Sequence, residues 1–438
     1  MYKTEETKSI ELFAAIEKRD IEEAVRLINA EADVNAVDKN GAATLHMAAE
    51  CGCTKIVEVL IKNGADVNVV IDKNERTPLH IAAVKDNAET IKVLIEAGAD
   101  VNKVENSGKT PLHFAAFKGR IKAIKVLIDL GANIEAKDQK GRTPLHEASE
   151  NPSTKGVKVL IEAGADVNAV DKDEFTPLYM PILYCYGNIT DIVKLLIEAG
   201  ADVNKVSMSG TLFHWADRMN HTNICDIILN HIARLEIAGL YVSSSNLNKK
   251  QELISDSRNL HNDYLQYLEN SRREVKKMEK ENKPLYDFLK ESDIAKLVSI
   301  FEKNEGVRSI LDDQKGLRKQ YSEYAYILIS KANEVKKEIF LHNHKPLIDV
   351  LSKNYEKDFQ KMSFVGIRNF FDVHRNDYRV KDRSISLINF VDLEDIATRN
   401  VPKLKVRALV EEIKNKVINS NLECPSTEQP QELNRAFN

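Results

Sequence analysis

The sequence predicts an all-α chain: a solenoid of stacked helical hairpins over residues 1–238, an α-helical domain over 239–420 with a long first helix, and a flexible tail over 421–438. Three observations carry this. A phrase of the type T-P-L-H recurs with a 33-residue period, and a second phrase, G-A-D-V-N, keeps step with it. After Gly239 the period stops and amphipathic helical patterns follow, with no strand-rich run.

The first phrase begins at Arg76 ("RTPLHIAA"), Lys109 ("KTPLHFAA") and Arg142 ("RTPLHEAS"), so Thr77, Thr110 and Thr143 stand 33 residues apart, and Thr176 of "FTPLYMPI" follows after another 33. Ala43 of "AATLHMAA" holds the equivalent place 34 residues before Thr77, and Thr211 of "TLFHWA" lies 35 after Thr176. Threonine suits an N-cap, and proline suits the first helical turn, where its missing N–H costs nothing; each phrase therefore starts a helix. About ten residues on, runs such as "IVEVLI" (Ile56–Ile61), "IKVLI" (Ile91–Ile95) and "IVKLLI" (Ile192–Ile197) put apolar residues on one face of a second helix. The glycine of the second phrase ends that helix in a left-handed cap. Each unit is thus two short antiparallel helices and a polar turn, which must stack on neighbours to cover its apolar face.

These residues resemble the ankyrin repeat family, whose T-P-L-H-x-A signature and period they share over about residues 5–238. The resemblance implies about seven units: a degenerate first one (Ile10–Asn35), full units starting near Asn40, Asn74, Asn106, Lys140 and Asp173, and a degenerate last one from about Ser207. It also implies that His46, His80, His113, His146 and His214 hydrogen-bond within and between units. A histidine recurring once per unit lies along a stack and does not converge on a metal or catalytic centre. The pattern breaks at Tyr179, where Thr176 to Gly200 spans 24 residues against 21 from Thr110 to Gly131. Pro181 inside that unit's first helix predicts a distorted helix.

What the resemblance implies in function is recognition of another protein, through the turn tips and the concave face of the first helices. On those positions stand Arg76, Lys85, Lys109, Lys118 and Arg142, with Lys73 and Lys140 at the tips and the aromatic Phe117 among them. A column of cations around one exposed ring suits an acidic protein segment. Nucleic acid suits it less, because residues 1–238 hold 28 Lys+Arg against 36 Asp+Glu, a net −8 that opposes a phosphate backbone.

Residues 239–438 hold 35 Lys+Arg against 31 Asp+Glu. "YVSSSNLNKK" (Tyr241–Lys250) reads as a linker or a helix entry, then Leu253, Leu260, Tyr264, Tyr267, Val275 and Met278 mark one long helix to about Asn282. Further helical runs cover Lys283–Asn304, Gly316–Phe340, Lys345–Phe359 and Val401–Ile418. "HNH" at His342–His344 completes no metal set, and no phosphate loop, nucleophile elbow or convincing Cys/His pair is present, so the sequence implies no cofactor and no enzyme. The alternative is an effector enzyme whose second half modifies the captured protein. Phe364–Arg383 mixes Arg368, Arg375, Arg379, Lys381 and Arg383 with Phe370, Phe371 and Tyr378, a composition that grips single-stranded nucleic acid or, more commonly, packs its rings in a core. The helical half is accordingly expected to dock or oligomerise, with nucleic-acid binding as its other use.

Composition sets the frame. With 43% hydrophobic and 30% charged residues among 438, the chain can bury two or three cores. Five scattered cysteines form no disulfide framework, the start lacks the apolar run of a secretory signal, and no stretch has the ~18 apolar residues of a membrane span. A cytoplasmic protein is expected. The worn, lysine- and asparagine-rich repeats resemble ankyrin proteins of host-associated intracellular bacteria, which often act inside host cells.

Overall fold

A computed structural model describes residues 5–70, 74–184, 187, 189–256 and 258–343. It divides into two compact units at Cys225/Asp226, thirteen residues earlier than the end of the sequence period, and the division falls inside a helix, Thr222–Ala238.

The first unit is built from helical pairs. Repeat 1 is α1 (Glu5–Glu17) and α2 (Ile21–Asn29); repeat 2, α3 (Thr44–Cys51) and α4 (Thr54–Lys62); repeat 3, α5 (Pro78–Val84) and α6 (Ala88–Glu96). Repeat 4 is α7 (Pro111–Phe117) and α8 (Ile121–Asp129), and repeat 5 is α9 (Pro144–Ser149) and α10 (Thr154–Glu162). In repeat 6 a 3₁₀ turn (Pro177–Tyr179) leads into α11 (Met180–Tyr184), followed by α12 (Thr190–Glu198), the distortion expected around Pro181. Repeat 7 adds a short hairpin, β1 (Val206–Ser207) against β2 (Gly210–Thr211), then α13 (Leu212–Arg218) and the start of α14 (Thr222–Ala238), whose residues from Asp226 on belong to the second unit. First helices pack on first helices, and second on second, in two parallel rows. Between the rows lie Leu45, Leu79, Leu112, Leu145 and Leu178 from the first helices and Leu60, Leu94, Leu127, Leu160 and Leu196 from the second, all buried. Each contributes about 1.5–3 kcal/mol by leaving water.

The local grammar is as read. The proline occupies the first turn of α5, α7 and α9, and the preceding threonine and the histidine three residues on form a capping box. From α4 onward each second helix ends on a positive-φ glycine, whereas α2 is followed by Glu31 at φ +64; Gly98 has φ +98, its N–H donates to Ile95, and the next N–H, of Ala99, donates to Leu94.

Three ladders tie repeat to repeat. In the first, histidine Nδ1 accepts from the cap residue's backbone N–H, at 3.3 Å for His46, 3.2 Å for His80 and 3.1 Å for both His113 and His146. Nε2 then donates to a carbonyl of the next repeat: His46 to Arg76 and His113 to Arg142 at 3.0 Å, His80 to Lys109 at 3.2 Å, and His146 to Phe175 at 3.0 Å. A backbone N–H only donates and a carbonyl only accepts, so each ring is fixed as the neutral tautomer with its hydrogen on Nε2. Burial pushes His80 and His146 down to about 4, and lowers His113 as well.

Tyr179 takes the histidine's place in repeat 6, its hydroxyl 2.7 Å from the Lys205 carbonyl and 3.2 Å from that of Gly210. His214 departs from the expected staple. It is exposed, because repeat 7 has no following repeat to offer a carbonyl, and its backbone N–H donates to Thr211 Oγ1 at 3.2 Å.

The second ladder explains the other phrase. The asparagine of D-V-N donates to the glycine carbonyl of the next repeat and accepts from the N–H two residues beyond that glycine: Asn35 to Gly64 and from Asp66, Asn68 to Gly98 and from Asp100, Asn168 to Gly200 and from Asp202. The third ladder runs through the turn tips, where Asn106 N–H donates to Asn74, Gln139 to Ser107, and Lys172 to Lys140. Gly108 lets the tips approach; a Cβ there would lie 2.8 Å from the Gln139 nitrogen.

The second unit is helical. It contains α15 (Ser244–Asp256), α16 (Arg258–Glu281), α17 (Lys283–Lys290), α18 (Ile294–Lys303), α19 (Glu305–Asp312), α20 (Gln314–Gln320) and α21 (Ala325–Asn343). The single long helix expected to start near Leu253 is instead two packed helices, and of the two readings of Tyr241–Lys250 the helix entry holds, since the stretch begins the first: the Asn246 N–H donates to Ser243 Oγ at 3.3 Å. Asn282, Asp293, Asn304 and Asp313 cap the next four helices by the same device. A polar network crosses the core. Arg234 pairs with Glu323 at 2.7 Å, Tyr326 bonds His231 Nδ1 at 2.6 Å, and Glu274 accepts from the Glu323 and Tyr324 N–H groups at 2.9 and 3.1 Å. His344, the runs Lys345–Phe359, Phe364–Arg383 and Val401–Ile418, and the tail 421–438 lie outside the described residues.

Candidate functional site

The exposed surface of the first helices is made from the residue before each cap and from those four, seven and eight positions after it. The turn carboxylates set where it starts. Asp138 Oδ1 accepts from the Lys140 and Arg142 N–H groups at 2.8 and 2.9 Å, and Asp171 Oδ1 from Asp173 and Phe175 at 3.0 and 2.9 Å. These acceptors hold each tip so that the following side chain emerges over the helix face, while the same residue's carbonyl receives the histidine of the repeat before.

The expected cations do not share one situation. Lys73 lies outside the described residues. Arg76 lies over the Phe114 ring, 5.0 Å from its centroid. Lys85 is exposed and pairs with Glu50 at 2.8 Å. Lys118 is exposed over the Phe117 ring at 5.1 Å, with no carboxylate within 4.0 Å among the described residues, and Lys140 is exposed and likewise unpaired. Phe117 is 39% exposed and also has Lys109 Nζ at 5.8 Å from its ring.

Lys109 and Arg142 correct the picture of an open cationic column. Lys109 Nζ donates to Glu147 at 2.8 Å, and the Glu147 side chain is 1% exposed. Arg142, 12% exposed, donates to Glu150 at 2.5 Å and to the Tyr184 hydroxyl at 3.1 Å, with Asp171 at 3.8 Å and Glu147 at 4.0 Å. Its guanidinium also covers the Tyr184 ring at 5.0 Å, leaving that ring 46% exposed. Burial alone would lower the Arg142 pKa, but Glu150, Tyr184 and Glu147 outweigh it and raise it. Burial, then the neighbouring Glu147, raises that of Glu150. The centre of the face is therefore a cluster of two cations paired with three carboxylates, in which the cations are no longer free. Sequence reasoning missed Glu147, four residues after Thr143, because its partner Lys109 lies 38 residues away in the preceding repeat.

Toward the C-terminal end the surface turns aromatic. Phe175 packs against Tyr179 at 5.2 Å and Trp215 at 6.4 Å, and Arg218 covers Trp215 at 5.3 Å.

The profile of the ankyrin repeat family, described as Ankyrin repeats (3 copies), matches residues 12–105, 66–138, 102–171 and 137–207. Residues 12–207 are ankyrin repeats. Ankyrin repeats are protein–protein interaction modules, so this unit is a binding surface for another protein. No curated protein matches the chain. Among the described residues no group of three or more His, Cys, Asp or Glu could hold a metal ion, and no helix is long and apolar enough to cross a membrane.

Proposed function

We propose that the concave ankyrin face captures a protein through an acidic, partly apolar segment, and that the chain acts by binding, with the helical second unit serving to dock or oligomerise. The carrying observation is Phe117, exposed and flanked by the ammonium groups of Lys109 and Lys118. A ring of that kind anchors an apolar side chain, Lys118 beside it can meet a carboxylate on the same segment, and Arg76 and Lys140 offer further charge from other repeats. Lys109 and Arg142 contribute differently from what their charge suggests: they hold the floor through Glu147 and Glu150, and Arg142 orients Tyr184 as a second exposed anchor.

A role without catalysis is supported by what the buried histidines do. The histidines with depressed pKa, His80, His113, His146 and His231, are engaged in packing hydrogen bonds. A reducing, cytoplasmic setting fits the free thiols of Cys51, Cys53 and Cys225.

The test is capture from a cell extract by the full chain, by Phe117→Ala and by Lys118→Glu, with proteins identified by mass spectrometry. Proteins retained by the wild type and lost by both variants, with melting unchanged, support the reading. An identical set on all three would overturn it.

A further inference from the structure

The turn between the two helices of a repeat puts one residue in the left-handed region, with one side chain on either side of it. Arg19, Gly52, Asp86, Gly119 and Asn220 hold this place, at φ +58 to +69. Lys85 and Asn87 flank the turn of repeat 3, and Lys118 and Arg120 that of repeat 4. In repeat 2 both flanking residues are cysteines: Cys51 ends α3 and Cys53 precedes α4, each half-buried and free. Spacing alone does not mark them, because redox and zinc motifs set two residues between their cysteines.

The turn supplies what the spacing lacks. Gly52 has φ +69 and ψ +25, close to the mirror image of an α-helical residue. The Cα atoms on its two sides are therefore separated as in a helix, where radius and rise put i and i+2 about 5.4 Å apart. Disulfides join Cα atoms about 4.4–6.8 Å apart. The turn is also held in place. The Cys53 N–H donates to the Ala48 carbonyl at 3.2 Å and the Gly52 N–H to that of Ala49 at 3.3 Å, while Asn87 of the next repeat donates from Nδ2 to the Ala49 carbonyl at 2.8 Å. The Asn87 side chain fills the space over Gly52, where a Cβ would meet its Oδ1 at 2.7 Å.

We propose that Cys51 and Cys53 form a thiol-exchange site that closes into a disulfide across Gly52 by reaction with a small disulfide of the glutathione type. One cysteine thiolate attacks a sulfur of the small disulfide, forming a mixed disulfide and releasing one glutathione thiolate. The other cysteine's thiolate then attacks the protein sulfur of that mixed disulfide, forming the Cys51–Cys53 bond and releasing the second glutathione thiolate. The two protons given up by the cysteines end on the two glutathione thiols, and the chain loses the two electrons that the small disulfide gains. Burial pushes the Cys51 thiol up, so its ionisation sets the pace and exchange should quicken as pH rises. The ring formed is small and strained, and strained disulfides are the easily reduced ones, so the dithiol is the resting form and oxidative load closes it. Cys51 stands eight positions after the cap of α3, next to Glu50, which pairs with Lys85 at 2.8 Å, so the state of the pair is written on the first-helix face.

The experiment equilibrates the full chain with mixtures of reduced and oxidised glutathione, quenches with acid and determines by mass spectrometry the state of the tryptic peptide Asn40–Lys55, which holds both cysteines. The wild type is expected to yield this peptide two hydrogens lighter and free of glutathione. Cys51→Ser and Cys53→Ser cannot close and should each stop with one glutathione attached. A synthetic peptide of the same residues lacks the fold that holds the turn, so at one glutathione ratio the closed-to-open ratio in the full chain should exceed that in the peptide at least about tenfold. A wild type that carries glutathione without closing, that stays reduced, or that pairs Cys51 or Cys53 with a different cysteine overturns the proposal, as does equal closure of chain and peptide.

Discussion

Reversing Lys109 and reversing Lys118 differ by one exposed charge on paper and by a buried ion pair in the molecule. Lys109→Glu removes the partner of Glu147, a carboxylate 1% exposed, and puts a further negative charge beside it and Glu150. Breaking a buried pair from one side costs ~3–5 kcal/mol. Lys109 keeps 28% exposure, which places the cost near the lower end, at about 3 kcal/mol. In a unit of this size each kcal/mol moves the midpoint by about 2–4 °C, so the loss should be about 6–12 °C. Lys118→Glu touches no carboxylate and should stay within about 0.5 kcal/mol. The chain's one tryptophan, Trp215, lies in repeat 7, so its fluorescence follows the repeat unit alone while circular dichroism follows both units. A double-mutant cycle closes the argument: Lys109→Met with Glu147→Gln should be at least ~1 kcal/mol more stable than the two single losses added. Equal melting of Lys109→Glu and Lys118→Glu, or a coupling of zero, refutes the structural role assigned to the pair.

Acid should loosen the repeats through their histidines. His80 and His146 are held near 4 against an ordinary 6.5, so between those values the unfolded chain binds more protons; their contribution is complete above about pH 6.5 and is lost as pH falls toward 4, by up to ~1.4 kcal/mol per pH unit each. Burial raises Glu150 and Asp171, which act in the opposite sense, so the measurement is the urea midpoint at pH 7.5 and 5.0 for the wild type minus that for His80→Gln with His146→Gln. A difference independent of pH would contradict the neutral staple. Tyr179→Phe removes the hydroxyl that reaches Lys205 and Gly210 and should cost about 1–1.5 kcal/mol, with early loss of the Trp215 signal; an unchanged midpoint would deny Tyr179 the staple's role. In the second unit, Glu274→Ala leaves the Glu323 and Tyr324 N–H groups without their acceptor, and hydrogen exchange at those two amides should accelerate tenfold or more while Asn246 is unaffected.

Much of this was written in the sequence because its signals are local. Proline after threonine starts α5, α7 and α9 through the chemistry of one helical turn, and the positive-φ glycine ends the second helices through one residue's freedom. The resemblance to ankyrin repeats implied the histidine staples, and the period added that each recurs once per unit along the stack. His214 shows the limit: the same residue in the same phrase is exposed, because the acceptor belongs to a neighbour that repeat 7 lacks. The second unit was harder for a related reason. The serines around Ser243 suit a linker and a helix entry alike, and the Asn246 N–H meeting Ser243 Oγ decides between them.

The charge of the first-helix face could not be read repeat by repeat, and the reason is geometric. Period arithmetic aligns Lys109 with Arg76 and Arg142, three residues of one sign in one column, and predicts a uniform stripe. Stacking places each of them against the next repeat, so its partner is set by what that repeat carries four positions after its cap: Phe114 beneath Arg76, Glu147 beneath Lys109. One column of like residues thereby becomes a guanidinium on a ring, an ammonium in a buried pair and, at Arg142, the hub of three carboxylates. Partner selectivity on such a surface is a property of adjacent repeats taken two at a time. Exchanging Phe114 and Glu147 would reverse which cation is free while leaving composition, net charge and period untouched.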